Sequence, residues 1–317
     1  MVSSQPPRSL STPPNVFAGL SNAFRGMLIG LVELVPGVSG GTVALVLGVF
    51  ERLVLSANHL VGAVTHAVSK RDGRGAANQL GKVEWGLLLP LAAGMFLALF
   101  ALSGPLHHFV ENHPVVASAL FLGMVSASLL VPITMAREAD PAAPTPKVAE
   151  IGIVLAVGLA AFLLLGLPAG QVESPAAWVI VLSGAVAVCA LAMPGLSGSF
   201  ILLAFGMYQP TLAAVSQRDF GYLGMFVAGA VVGLASIVRV LAYLLRVHRR
   251  LTLLVATGLI LGSLRALWPW QQGPTLLWPG EEPWGWPLVA GLAGAALVLL
   301  LWWRERRADK DLRPAEF

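Results

Sequence analysis

Two short stretches combine residue types that bind anions through the backbone: Pro36-Gly37-Val38-Ser39-Gly40-Gly41-Thr42 and Pro194-Gly195-Leu196-Ser197-Gly198-Ser199. Each lies in the middle of a long apolar run. Proline is favoured at the first helical position because its missing N–H would go unpaired there anyway, so Pro-Gly in such a run stops one helix and starts another. The N–H groups of Gly37, Val38 and Ser39, and of Gly195, Leu196 and Ser197, are then expected to point out of a fresh helix N-terminus carrying positive dipole. Small residues let a ligand reach that backbone, and such an end attracts anions. The plainer alternative is a pair of glycine kinks in tightly packed helices.

The two stretches belong to an internal repeat. At one constant offset Pro36 meets Pro194, Gly37 meets Gly195, Ser39 meets Ser197, Gly40 meets Gly198, Gly48 meets Gly206 and Phe50 meets Tyr208, with Gly26 meeting Gly184 upstream. A second constant offset pairs Trp85 with Phe220, Gly94 with Gly229, Gly123 with Gly258, Ser128 with Ser263 and Leu129 with Leu264. A fixed self-similarity of this kind decides the architecture before any single element does.

With 56% hydrophobic residues, 11% charged and a mean hydropathy of +0.78, the chain is not an ordinary soluble domain. It reads as an all-α polytopic membrane protein. The first apolar run descends from Phe17 to Val35, and the return arm from Gly37 to Phe50 has 14 residues. That is about 21 Å of helix against a hydrocarbon core of about 30 Å, so the arm is expected to be re-entrant. Residues 51–84 hold an amphipathic stretch and a basic loop, and spans follow at about 85–110, 115–136 and 148–167. The second hairpin covers about 176–214, before spans at 219–245, 251–267 and 286–303.

The expected plan is therefore a Ser/Pro-rich disordered tail over 1–15, one transport domain over 16–304 and a charged cytoplasmic tail over 305–317. Within the domain, repeat 1 covers about 17–136, a linking helix about 148–167, repeat 2 about 176–267, and a last span about 286–303. That makes about six full spans and two re-entrant hairpins. Because a single span separates the repeats, they are expected to lie in opposite orientations, an arrangement that places a transporter's site near the midplane. Sixteen lysines and arginines then fall on the face of the N-terminus, while Arg218 alone falls clearly on the other. The bias sets both termini in the cytoplasm.

Arg25, Glu33 and Arg239 stand inside apolar runs, where a charge costs about 2.5–3.5 kcal/mol and usually faces a cavity or a partner. A carboxylate at Glu33, beside an anion-attracting break, either binds a proton or pairs with an arginine. Its counterpart in the other repeat is Leu191. Arg25 suits a phosphate or a carboxylate on another helix, and Arg239 either joins the site or snorkels to the cytoplasmic face. Arg265 reads as an interfacial anchor. His107, His108 and His113 lack acidic companions in metal spacing, and the one cysteine, Cys189, reads as a small buried hydrophobe. Neither a metal nor a cofactor is expected, nor a nucleic-acid partner, since the basic residues lie in loops between apolar segments. The oligomeric state is left open.

The segments GLVELVPGVSGGTVALVLGVFERL, AMPGLSGSFILLAFGMY and GLILGSLRALWPW together resemble the bacterial polyprenyl-phosphate transporter family over roughly residues 17–270. The resemblance implies a non-enzymatic flippase of the cytoplasmic membrane that recycles undecaprenyl phosphate, the lipid carrier of cell-wall polymers. A phosphate head would then sit at Pro36, Gly37, Ser39, Gly40, Gly41, Thr42, Pro194, Gly195, Ser197, Gly198 and Ser199 with Arg25 or Arg239, and Glu33 would carry a coupling proton. The motifs also resemble those of undecaprenyl-pyrophosphate phosphatases, but Thr42 stands where that family has histidine and Gly198 where it has arginine. Phosphoryl transfer would lack its main electrostatic help there. An anion channel would use the same helix ends without needing Glu33.

Overall fold

A computed structural model describes residues 16–33, 39–140, 147–167, 172, 175–196, 198, 201–202, 205–273, 275–280 and 284–312. The first half of the chain forms α1 (Val16–Glu33), α2 (Gly40–Val46), α3 (Phe50–Val68), α4 (Gly73–Gly81), α5 (Trp85–Asn112), α6 (Pro114–Ser128) and α7 (Leu130–Glu138). The second forms α8 (Val148–Leu164), α9 (Ala177–Ala192), α10 (Tyr208–Gln217), α11 (Phe220–Val247), α12 (Arg249–Ser263) and α13 (Gly285–Leu312). The protein is all-α and polytopic: among the described residues five helical segments are long and apolar enough to cross a membrane, or six if α2 and α3 count as one bent span. The segment expected at 115–136 is α6 and α7 in sequence, while α8 stops at Leu164 and is shorter than expected.

Four helix pairs carry the packing, and glycine decides each of them. Between helices surrounded by lipid there is no hydrophobic drive, so close backbone approach at small residues supplies the contact. A Cβ on Gly26 of α1 would lie 1.9 Å from the Leu91 carbonyl oxygen of α5, and one on Gly94 of α5 would lie 1.8 Å from that of Ala23. The second half does the same with α9 and α11. There a Cβ on Gly184 would lie 2.1 Å from the Phe226 oxygen, and one on Gly229 1.8 Å from the Val181 oxygen. Leu91 and Phe226 stand at the second sequence offset, Ala23 and Val181 at the first. The remaining pairs are α6 with α13, where Gly123 faces the Gly291 carbonyl, and α12 with α8, where Gly258 and Gly262 face those of Val154 and Gly158.

At the centre, Ile29, Leu45, Phe50, Leu91, Leu241 and Ile260 form one buried cluster. Outward, Leu89, Phe96 and Phe100 of α5 and Val227, Val231 and Val232 of α11 are exposed, as a lipid-facing surface requires. Ion pairs gather at the helix ends on the arginine-rich face. Arg250 holds Glu150 through two bonds, Nε to Oε1 at 2.7 Å and Nη2 to Oε2 at 2.8 Å, which joins α12 to α8. Arg249 holds Glu51 of α3 at 3.0 Å, and Arg52 pairs with Glu84 at the start of α5. In the loop before α4, Asp72 Oδ1 accepts from the Gly75 N–H at 2.9 Å, and that bond, with His66 beside it, holds the carboxyl below the usual aspartate range.

Two details add to the sequence reading. The Trp-rich loop after α12 contains a two-stranded ribbon, Gln271–Gln272 against Thr275–Leu276, steadied by the Trp268 indole N–H donating to the Leu277 carbonyl at 2.9 Å. The charged run expected as a tail from 305 is helical as far as Leu312, continuing α13, and the Arg307 guanidinium lies 3.5 Å from the Trp303 ring centroid.

Candidate functional site

The two breaks meet. α1 ends at Glu33, and residues 34–38, which include Pro36 and Gly37, lie outside the described residues. Ser39 is extended (φ −104°, ψ 123°) and caps α2, which therefore begins at Gly40. The expected helix start at Gly37 is corrected by three residues, because the extended backbone of Ser39 interrupts helical dihedrals there and makes Gly40 the first helical residue. The amides at the start of α2 are thus those of Gly40, Gly41 and Thr42.

Glu33 reaches across the break, its Oε1 accepting from the Gly40 N–H at 2.9 Å. The carboxylate thereby takes a backbone amide as partner, where the sequence suggested a proton or an arginine. A Cβ at position 40 would lie 2.1 Å from that oxygen, so a side chain there would displace the Glu33 carboxylate. The half-buried carboxylate occupies the space in which an external anion was expected.

In the second break, α9 ends at Ala192 and Met193 leads into Pro194 and Gly195. Gly195 adopts a left-handed conformation (φ +85°) that a side chain would strain, and a Cβ there would also lie 2.5 Å from the backbone nitrogen of Ile260. Its N–H donates to Thr42 Oγ1 at 2.9 Å, a buried bond between residues 153 apart in sequence. A longer bond runs alongside, Ser39 Oγ donating to the Met193 carbonyl at 3.4 Å. A Cβ on Gly41 would touch Pro194 at 3.4 Å, and one on Gly198 would lie 2.5 Å from the Ala187 carbonyl. Thr42 and Ser39 are 2% and 4% exposed, so the junction is closed to solvent.

Glu33, Ser39, Gly40, Gly41, Thr42, Pro194 and Gly195 are thus brought to one place, while Gly198 packs on α9 nearby. Ser197 and Ser199 lie outside the described residues. Arg25 bonds Asn22 Oδ1 at 3.1 Å on the seam of α1 and α5, where Asn22 in turn donates to the Gly86 carbonyl at 3.0 Å. Arg239 bonds Thr65 Oγ1 on the seam of α11 and α3. Arg265 lies over the Phe162 ring at 4.4 Å from its centroid, and Cys189 Sγ is 3.5 Å from the Gly233 carbonyl oxygen.

A neighbouring cavity escaped the sequence reading. It has a volume of 140 Å³ and apolar walls, and it runs from Met193 and Pro194 past Leu45, Phe50 and Leu241 to His248 and Thr252, where α11 meets α12. The repeated aromatic at Phe50 was the one available signal for it. Chemically, the junction offers amides and hydroxyls, groups that bind and release an anion.

Comparison with known proteins gives a consistent result. The undecaprenyl phosphate translocase-like family matches residues 29–280. The chain is 32% identical over 259 residues to a polyprenyl-phosphate transporter of Vibrio cholerae serotype O1, covering 82% of this chain and 80% of that one. To a polyprenyl-phosphate transporter of Staphylococcus aureus it is 26% identical over 272 residues, covering 81% of this chain and 89% of that one. No solved structure matches it. With most of its length matched, including both Pro-Gly breaks and the helices that pack around them, the chain belongs to the undecaprenyl phosphate translocase-like family.

Proposed function

We propose that this protein translocates undecaprenyl phosphate between the leaflets of the cytoplasmic membrane, returning the lipid carrier for another round of cell-wall polymer synthesis. The observation that carries the reading is the meeting of the two breaks, through the Thr42–Gly195 and Ser39–Met193 bonds. Backbone amides and hydroxyls converge there from two widely separated parts of the chain, as a site reached in turn from either leaflet needs. Once Glu33 and Thr42 release them, the Gly40 and Gly195 amides hold a phosphate head together with hydroxyls at Ser39, Thr42, Ser197 and Ser199, with Arg25 or Arg239 moving in as counter-charge. The first carbons of the prenyl chain take the apolar cavity beside Pro194, and the rest of the chain stays in lipid. One repeat, inverted relative to its twin, rocks against it, and Glu33 carries the coupling proton.

The reading is also supported by the names of the two relatives, both polyprenyl-phosphate transporters. We read the transport as non-hydrolytic because Thr42 stands where the phosphatases have histidine and Gly198 where they have arginine. The test is the amount of undecaprenyl phosphate exposed on the cell surface. Cells lacking the protein are expected to accumulate it there, and an unchanged surface level would defeat the proposal. In reconstituted vesicles, release of inorganic phosphate from the pyrophosphate lipid would establish a phosphatase instead, and current independent of lipid would establish a channel.

A further inference from the structure

Thr42 and Gly195 form a bond whose partners the internal repeat does not duplicate. The residue at the Thr42 position in the second break is Phe200, and that at the Glu33 position is Leu191. Among the described residues, both polar side chains at the junction that accept from backbone amides come from the first half. One of them crosses to the second: Thr42 Oγ1 takes the Gly195 N–H, within a junction where Thr42 is 2% exposed. Alongside it, Ser39 Oγ reaches the Met193 carbonyl, so two hydroxyls of α2 and its cap tie the tip of the first break to the tip of the second. A buried N–H left without an acceptor is costly, so the tips separate readily only if another acceptor arrives to take Gly195.

We propose that Thr42 is a positioning residue that locks the two breaks together while the site is empty, and that a phosphate oxygen of the lipid releases the lock by replacing Thr42 Oγ1 on the Gly195 N–H. This rests on the proposed phosphate site and adds its regulation: the empty protein stays closed, and binding itself frees the two halves to part. No covalent bond is made or broken in the exchange. The freed hydroxyl turns to donate to the phosphate, which leaves neither amide nor hydroxyl unsatisfied.

The test uses full-length protein with Cys189→Ser and a reporter thiol at Ala44→Cys, a position 3% exposed on α2 that takes no part in the two bonds of the lock. Labelling by a water-soluble maleimide is timed with and without added undecaprenyl phosphate, in Thr42, Thr42→Ser and Thr42→Val backgrounds. Without lipid, Thr42→Val is expected to label at least tenfold faster than the Thr42 protein, whereas Thr42→Ser, which keeps the hydroxyl, labels slowly. Lipid is expected to accelerate the Thr42 and Thr42→Ser proteins at least tenfold and to change Thr42→Val little. Equal rates for Thr42 and Thr42→Val without lipid overturn the lock. Should Thr42→Val fail to fold, Ser39→Ala replaces it, with a smaller acceleration in the same direction expected and an unchanged rate overturning the proposal. Direct binding of the lipid to the Thr42 protein is measured in the same preparation. If the lipid does not bind, the phosphate site falls, while the rates without lipid still report on the lock.

Discussion

The two halves share their scaffold and differ at their tips. In both, a short helix arm packs on a long helix through glycines at matching positions, and a left-handed glycine, Gly48 at φ +66° or Gly206 at φ +72°, turns the chain before the helix that follows. At the tips the match fails. Glu33 and Thr42 of the first half have Leu191 and Phe200 as counterparts, and it is Glu33 and Thr42 that accept the Gly40 and Gly195 amides. A duplicated frame fixes where the breaks lie, and the unduplicated side chains decide what happens there.

The sharpest way to break the comparison is to crowd the shared seam. Gly94→Val and Gly229→Val each place side-chain atoms where a carbonyl oxygen lies 1.8 Å from an ideal Cβ. Each is expected to cost about 3 kcal/mol or more and to abolish folded protein in a detergent melting assay. Gly86→Ala, with nothing within 4 Å of its Cβ, should melt like the parent. Tolerance of valine in one half alone would show that the halves are not packed alike.

Next in size is the difference at the tips. Glu33→Gln keeps a carbonyl acceptor for the Gly40 amide but removes the group that takes up and releases a proton. Lipid transport into vesicles is expected to fall about tenfold or more and to lose its pH dependence, while Leu191→Ala keeps both. Transport that stayed pH-dependent in Glu33→Gln would remove the proton from the mechanism. The smallest effect sharpens the scaffold half of the comparison. Gly48→Ala and Gly206→Ala are expected to destabilise by about 1–2 kcal/mol each, the strain of a left-handed residue, and by similar amounts in thermal melts.

Much of the frame was legible because the repeat writes it twice. The offsets that pair Gly26 with Gly184 and Gly94 with Gly229 also pair the carbonyls these glycines touch, and Ser39, Gly41 and Thr42, just after the first Pro-Gly, lie against Met193, Pro194 and Gly195. What escaped depends on distances that no local pattern encodes. The Pro-first rule placed the α2 start at Gly37, but the extended backbone of Ser39 moves it to Gly40. Glu33 and Gly40 are seven residues apart, a spacing that no continuous helix brings together, so their bond needs the break itself. Helical position alone could not tell whether Arg25 and Arg239 turn toward the breaks. Their side chains bond Asn22 and Thr65 on other seams.

The four glycine-lined helix pairs have a mechanical consequence. Where backbone rests on backbone there is no side chain to change rotamer and no gap to take up a shift, so each pair is stiff along its whole seam. Any large displacement must be taken up between the pairs, at the left-handed turns of Gly48 and Gly206 and across the arginine–carboxylate clasps at the helix ends. The molecule is in effect four rigid staves hinged at their ends.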